Sequence, residues 1–95
     1  MENTQVDNEE FEQLLEVMKA KKPLVDKESK DDKLKLYSAG KQGKFGNCNE
    51  PKPGMFDVVG KVKWQAWKDR EGQDQEACKL EFIQRAKAIL AKEKQ

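Results

Sequence analysis

Few side chains in this 95-residue sequence are suited to chemistry. It has no histidine, which excludes a Ser-His-Asp triad, a Cys-His dyad and the usual zinc and haem sites. The commonest proton carrier of general acid–base catalysis is therefore missing. The two cysteines, Cys48 and Cys78, lie far apart and match no metal spacing. They are expected as free thiols of a reducing compartment, the alternative being a single disulfide. What remains is cationic and aromatic. Tyr37, the only tyrosine, precedes Lys41 by one helical turn, so a ring and an ammonium share one face. Such a pair suits a flat base or a phosphate, and its bland alternative is a core ring beside a solvated lysine. Trp64 and Trp67 are three residues apart and also share a face, where two indoles are expected as core anchors.

The cations are unevenly spread. Residues 1–32 hold 5 basic and 10 acidic side chains, whereas residues 33–95 hold 14 basic and 8 acidic, leaving +1 for the chain. The positive part is interleaved with acids and has no dense Lys/Arg run, so it suits a few local phosphate contacts rather than a nucleic-acid track. No stretch approaches a membrane span, and the acidic, polar start is unlike a signal peptide. Stable membrane insertion is not expected. Leu, Ile, Val and Phe make up only 19 of 95 residues. That is close to the composition of disordered chains, but the near-zero net charge favours a small, thinly cored domain.

Four helices must position these residues. Phe11, Leu14, Leu15 and Met18 fall on one helical face, with Asn8 as the expected N-cap and Pro23 as the stop. Residues 23–32 read as a charged connector without periodicity. A second helix is expected from Asp31 or Asp32 through Lys41, ended by Gly40, Gly43 and Gly46, before a long loop to Met55. Asp57 can cap a third helix carrying Val58 to Trp67 and closing near Gly72. Asp74 can cap a fourth, on which Cys78, Phe82, Ala86 and Ile89 form a stripe widened by Leu80, Ile83 and Leu90. No segment alternates convincingly as a strand. The expected architecture is an all-α four-helix bundle in a single domain over residues 1–95, with residues 1–7 a flexible extension.

With the helices placed, the segment from Leu34 to Trp67 holds Tyr37, Lys41-Gln42, Gly46-Asn47-Cys48-Asn49, Pro53-Gly54 and Lys63-Trp64-Gln65-Ala66-Trp67. In that order and spacing the segment resembles the acyl-CoA-binding protein family. Phe11 and the stretch from Glu76 to Ile89 are similar to its first and last helices, so the likeness covers nearly all of the chain after residue 10. Gly40 stands where the family generally has a second tyrosine, preceded by Ala39 in place of a bulkier residue. Phe82 replaces a tyrosine of the last helix, and the 23–33 connector is longer than usual.

The resemblance implies an up-down-down-up bundle that binds acyl-CoA without catalysis or cofactor. It implies ligand contacts at Lys19, Tyr37, Ser38, Ala39, Gly40, Lys41, Lys63 and Phe82, with Lys41 and Lys63 on phosphates. The absent ring at Gly40 bears on affinity and head-group discrimination rather than on the fold. Lys61 is expected to face solvent, and Met18, Met55 and Phe56 fit either core or acyl groove. The implied partner is a medium- to long-chain acyl-CoA ester, bound, buffered and carried by a cytoplasmic monomer. The competing reading is a helical protein–protein interaction module whose acyl-CoA site is weakened or lost.

Overall fold

The computed structural model describes residues 6–93, which form five helices. These are α1 (Asn8–Ala20), α2 (Lys22–Val25), α3 (Lys30–Phe45), α4 (Val58–Lys68) and α5 (Gln75–Lys92). No strand occurs among the described residues. The expected bundle is present, with α2 as an added single turn. Of the expected flexible extension, residues 1–5 lie outside the described residues. Val6 instead packs against the core, and Asp7 caps α1.

Local chemistry sets most helix ends. Asp57 Oδ1 accepts from Gly60 N–H at 2.9 Å and Asp74 Oδ2 from Ala77 N–H at 2.9 Å, the two caps expected from sequence. At α1 the cap is Asp7, whose Oδ1 accepts from Glu10 N–H at 3.1 Å. Asn8 instead accepts from Lys79 Nζ on α5 at 2.8 Å. Pro23 does not merely stop α1. It lies in the first turn of α2, where a missing N–H costs nothing. Ser29 then caps α3 by accepting from Asp32 N–H at 3.1 Å, which starts that helix before the expected Asp31.

The larger departure from expectation is that α3 runs through Gly40 and Gly43 to Phe45. Both glycines face α5 so closely that a Cβ at either would require its neighbours to give way. A Cβ on Gly40 would lie 3.1 Å from Phe82 Cδ1, and one on Gly43 would lie 3.1 Å from the Lys79 backbone nitrogen. The glycines therefore let two helices close rather than ending one. The helix ends at Gly46, whose φ of 79° suits only a residue without a side chain.

Contacts fix the directions. Lys44–Glu12 (3.0 Å) and the approach of Leu15 to Gly40 set α1 antiparallel to α3. Phe11 meets Phe82 edge to face at 5.5 Å, and Lys79 meets Asn8, so α1 and α5 run parallel. Tyr37–Lys63 and Lys41–Trp67 align α3 and α4. The result is up-down-down-up. The core is Phe11, Leu14, Met18, Leu36, Ala39, Phe82, Ile83, Ala86 and Ile89, which settles Met18 as core. Leu80, expected to widen the α5 stripe, is instead exposed.

Behind this core sits a polar lock. Arg70, after α4, donates from Nε to Ser38 Oγ (2.7 Å), from Nη2 to the Lys35 carbonyl (3.2 Å) and from both terminal nitrogens to Glu81 (2.9 and 2.8 Å). Hydrogen bonds from Arg70, reinforced by Arg85, hold the Glu81 carboxyl at about 2 against the opposing effect of burial. Because its folded value lies below the ordinary 4.5, Glu81 contributes stability above that pH and loses it as pH falls toward 2. Glu81→Gln is expected to cost about 1–3 kcal/mol at neutral pH. Chemical denaturation should show the gap from wild type narrowing between pH 4.5 and 2; a gap constant over that range contradicts the lock.

Candidate functional site

On α3, Tyr37, Lys41 and Phe45 recur every four residues and so line one face of the helix. That face looks toward α4, which supplies Lys63 and Trp67. Lys63 Nζ lies 5.3 Å from the centre of the Tyr37 ring and Lys41 Nζ 5.7 Å from it, so one phenol stands beside two ammonium groups. Lys41 Nζ also lies 5.1 Å from the Phe45 ring and 5.3 Å from Trp67. Neither lysine has a carboxylate partner among the described residues, whereas Lys44 beside them is paired with Glu12. Two unpaired cations against aromatic faces have the chemistry to hold a phosphorylated, partly flat ligand.

The surrounding frame is rigid. Trp67 is 1 % exposed, rests 6.0 Å from the Phe45 ring and donates from Nε1 to the Gly46 carbonyl at 2.8 Å. It anchors the core edge as expected. Trp64 does not: it is only half-buried, and its Nε1 donates to the Glu50 carbonyl at 2.8 Å, tying down the 46–57 loop. Asn47 Oδ1 accepts from Gln42 Nε2 (3.0 Å) and from Gly72 N–H (2.8 Å). The Lys41-Gln42 pair thus divides its roles, the lysine facing outward and the glutamine inward. Both cysteines are free thiols, Cys78 in the interior and Cys48 half-buried in the loop.

Beside the cationic cluster, α3 and α4 part to leave an open cleft of about 510 Å³, floored by Leu34, Val62 and Ala66 and rimmed by Asp31, Lys35 and Asp69. Leu34 is one turn from Tyr37, and Val62 adjoins Lys63. The apolar floor therefore starts where the cations end. A second cleft, about 450 Å³, lies between α2 and the end of α5, lined by Pro23 and Leu24 as well as by Lys21, Lys27, Glu28 and Lys92.

Tyr37, Lys41 and Lys63 are brought together. Lys19 is not in contact with them: its side chain is exposed and pairs with Glu16 at 3.2 Å. It follows Leu15 by one turn, and the antiparallel register carries it toward the level of Tyr37. The other four expected contacts are buried. Ser38 is held by Arg70 and lines the α3–α4 cleft, Ala39 is sealed in the core, Gly40 is covered by the Phe82 ring, and Phe82 meets Phe11 edge to face. Ala39 and Gly40 turn away from the face that carries Tyr37 and Lys41. Lys61 is half-buried rather than fully solvent-facing, while Met55 and Phe56 are exposed and belong to no core. Two residues escaped the sequence reading. Phe45 is the next four-residue step after Tyr37 and Lys41; the tie from Arg70 to α3 has no local signal, since Ser38 and Lys35 lie 32 and 35 residues away.

The family model described as "Acyl CoA binding protein" matches residues 8–86. The chain is 38 % identical over 71 residues to the acyl-CoA-binding protein homolog of Drosophila melanogaster, covering 75 % of this chain and 83 % of that protein. It is 36 % identical over 77 residues to the acyl-CoA-binding protein of Saccharomyces cerevisiae, covering 81 % and 88 %. Among solved structures, Oryza sativa acyl-CoA-binding protein 2 superposes with a TM-score of 0.74 at 36 % identity, over 92 % of this chain and 93 % of that one. The structure of ACBP from Moniliophthora perniciosa gives 0.75 at 28 % identity, over 93 % and 84 %.

Because Tyr37 is the only tyrosine, its ionisation can be read directly from phenolate absorbance. Burial pushes its hydroxyl above the ordinary 10.0, and the Glu50 carboxylate adds to the rise. The titration midpoint is therefore expected above 10.0, and Glu50→Gln should lower it. A midpoint at or below the ordinary value would contradict the half-buried placement of the ring.

Proposed function

The chain belongs to the acyl-CoA-binding protein family, and from that premise we propose that it binds medium- to long-chain acyl-CoA esters, which it buffers and carries as a cytoplasmic monomer. It acts by binding and not by catalysis, as its family does, and it needs no cofactor. The observation that carries this reading is the unpaired pair of ammonium groups, Lys41 and Lys63, beside one tyrosine ring. Coenzyme A presents a 3′-phosphate, a pyrophosphate and a flat adenine. Lys41 and Lys63 take the phosphates as point charges, the Tyr37 hydroxyl adds a donor, and Lys19 swings from Glu16 as a third cation.

The family's second tyrosine is absent at Gly40, and the space above that glycine is filled by Phe82. Phe45 compensates: its ring is 51 % exposed, one turn beyond Lys41, and available for a base to stack upon. Ala39, Gly40 and Phe82 support the site from behind by fixing α3 against α5, while Ser38 lines the α3–α4 cleft. The acyl chain runs from the cations into the cleft over Leu34, Val62 and Ala66. Each methylene it buries contributes up to about 0.8 kcal/mol, so affinity rises with chain length.

The covered glycine is also what favours the competing reading, a helical interaction module with a lost site. Titration calorimetry separates the two. Palmitoyl-CoA is expected to bind more tightly than octanoyl-CoA, and both more tightly than the free acids. No heat with palmitoyl-CoA sinks the carrier reading.

Lys41→Ala and Lys63→Ala are each expected to weaken palmitoyl-CoA by about 10–100-fold, the loss of a charge-assisted hydrogen bond. Melting should shift by no more than about 2 °C, because neither lysine holds an ion pair in the fold. A collapse of melting would mean the lysines are structural. Phe45→Leu is expected to weaken palmitoyl-CoA about five-fold or more, the range of base–aromatic stacking. It should spare palmitoyl-pantetheine, which has no base; equal losses on both ligands would remove Phe45 from the nucleotide subsite.

A further inference from the structure

The polar groups around the α3–α4 cleft are unequal. Its floor of Leu34, Val62 and Ala66 offers a tail only apolar contact. On the α3 side the polar atoms are engaged with one another or with Arg70. Asp31 pairs with Lys35 at 2.9 Å, and Ser38 Oγ accepts from Arg70 Nε at 2.7 Å while donating to the Lys35 carbonyl at 3.3 Å. The α4 side differs. Gln65 Nε2 donates to Asp69 Oδ1 at 2.7 Å, which leaves Gln65 Oε1 and Asp69 Oδ2 without a protein partner among the described residues. Nor do its neighbours in the chain neutralise Asp69, since Lys68 is paired with Glu71 (2.7 Å) and Arg70 with Glu81 (2.8 Å). Asp69 is also the C-cap of α4, at the negative end of that helix's dipole.

This end of the cleft is held in place. Asp69 N–H donates to the Gln65 carbonyl at 2.8 Å, and the adjoining Arg70 is bonded to both α3 and α5. Along α4, Asp69 stands two turns beyond Val62, a rise of about 10 Å, and Val62 adjoins Lys63. A tail that leaves the cations and follows the floor past Ala66 therefore arrives at free acceptors and a negative charge. A methyl end is indifferent to that charge. A hydroxyl donates to the carboxylate, whereas a second carboxylate meets repulsion and finds no free cation, because Lys35 is committed to Asp31. We propose that Asp69, with Gln65, sets the class of acyl chain: the cleft takes plain chains and chains ending in a hydroxyl, and turns away chains ending in a carboxylate. The inference deepens the acyl-CoA reading and rests on it.

The test is titration calorimetry of the full chain at low salt with lauroyl-CoA and palmitoyl-CoA, each beside its ω-hydroxy and ω-carboxy analogue. Affinities are read as ratios to the plain ester of the same length. In at least one series the hydroxy ester is expected within about three-fold of the plain ester, and the carboxy ester at least about ten-fold weaker. Two variants separate charge from hydrogen bonding. Asp69→Asn removes the charge and keeps an acceptor, so it should raise the carboxy ratio about three-fold or more and hold the hydroxy ratio. Asp69→Ala removes both and should also lower the hydroxy ratio about five-fold or more. Ratios that neither variant moves in either series overturn the proposal, as does a wild-type chain that binds the carboxy esters as tightly as the plain ones. If the plain esters themselves give no heat, the acyl-CoA reading fails and this inference with it; if they bind without discrimination, this inference alone fails.

Discussion

The site depends on how closely α3 can approach α5. Gly40 lies under the Phe82 ring and Gly43 against the Lys79 backbone, so the inner face of α3 is spent on packing. A helix seated that tightly has only its opposite face free, and that face carries Tyr37, Lys41 and Phe45. The Arg70 lock works in the same direction. By taking Ser38 Oγ, the Lys35 carbonyl and Glu81 together, it joins α3, the end of α4 and α5 at one point. Lys63 comes within 5.3 Å of the Tyr37 ring because α4 packs alongside that face of α3.

Charge follows the same logic. Acids dominate the first third of the chain, and lysines and arginines the remainder. In the fold many of these find each other across helices: Glu10 with Lys87, Glu12 with Lys44, Glu28 with Lys92 and Asp32 with Arg85. Most of these pairs are solvent-exposed and individually contribute little. Their functional effect is one of subtraction. Lys41 and Lys63 are among the lysines left without a carboxylate among the described residues, and they stand against the Tyr37 ring beside an apolar cleft.

Much of this was legible beforehand. The period of Phe11, Leu14 and Met18, the caps at Asp57 and Asp74, and the α5 stripe from Cys78 to Ile89 are local signals, and each corresponds to an observed element. The failures share a cause. Gly40 and Gly43 read as helix breakers because glycine's local cost is visible in sequence, while the neighbouring helix that requires it is not. Ser29 was missed as a cap although Asp32 stands three residues on. The cluster of Tyr37, Lys41 and Lys63 emerged from resemblance together with spacing. The seating of Gly40 under Phe82 and the bonds from Arg70 to Ser38 and Lys35, 32 and 35 residues away, depend on distant partners, and no local pattern encodes them.

The central claim is that one face of α3, completed by Lys63, receives the nucleotide end of the ligand while the adjoining cleft receives the tail. Amide chemical-shift mapping of the labelled chain, titrated first with free CoA and then with palmitoyl-CoA, tests this residue by residue. The account predicts that free CoA moves Tyr37, Lys41, Phe45 and Lys63, and that the palmitoyl ester additionally moves Leu34, Val62 and Ala66. Shifts centred instead on the α2–α5 cleft around Leu24, Lys27 and Lys92 would contradict it.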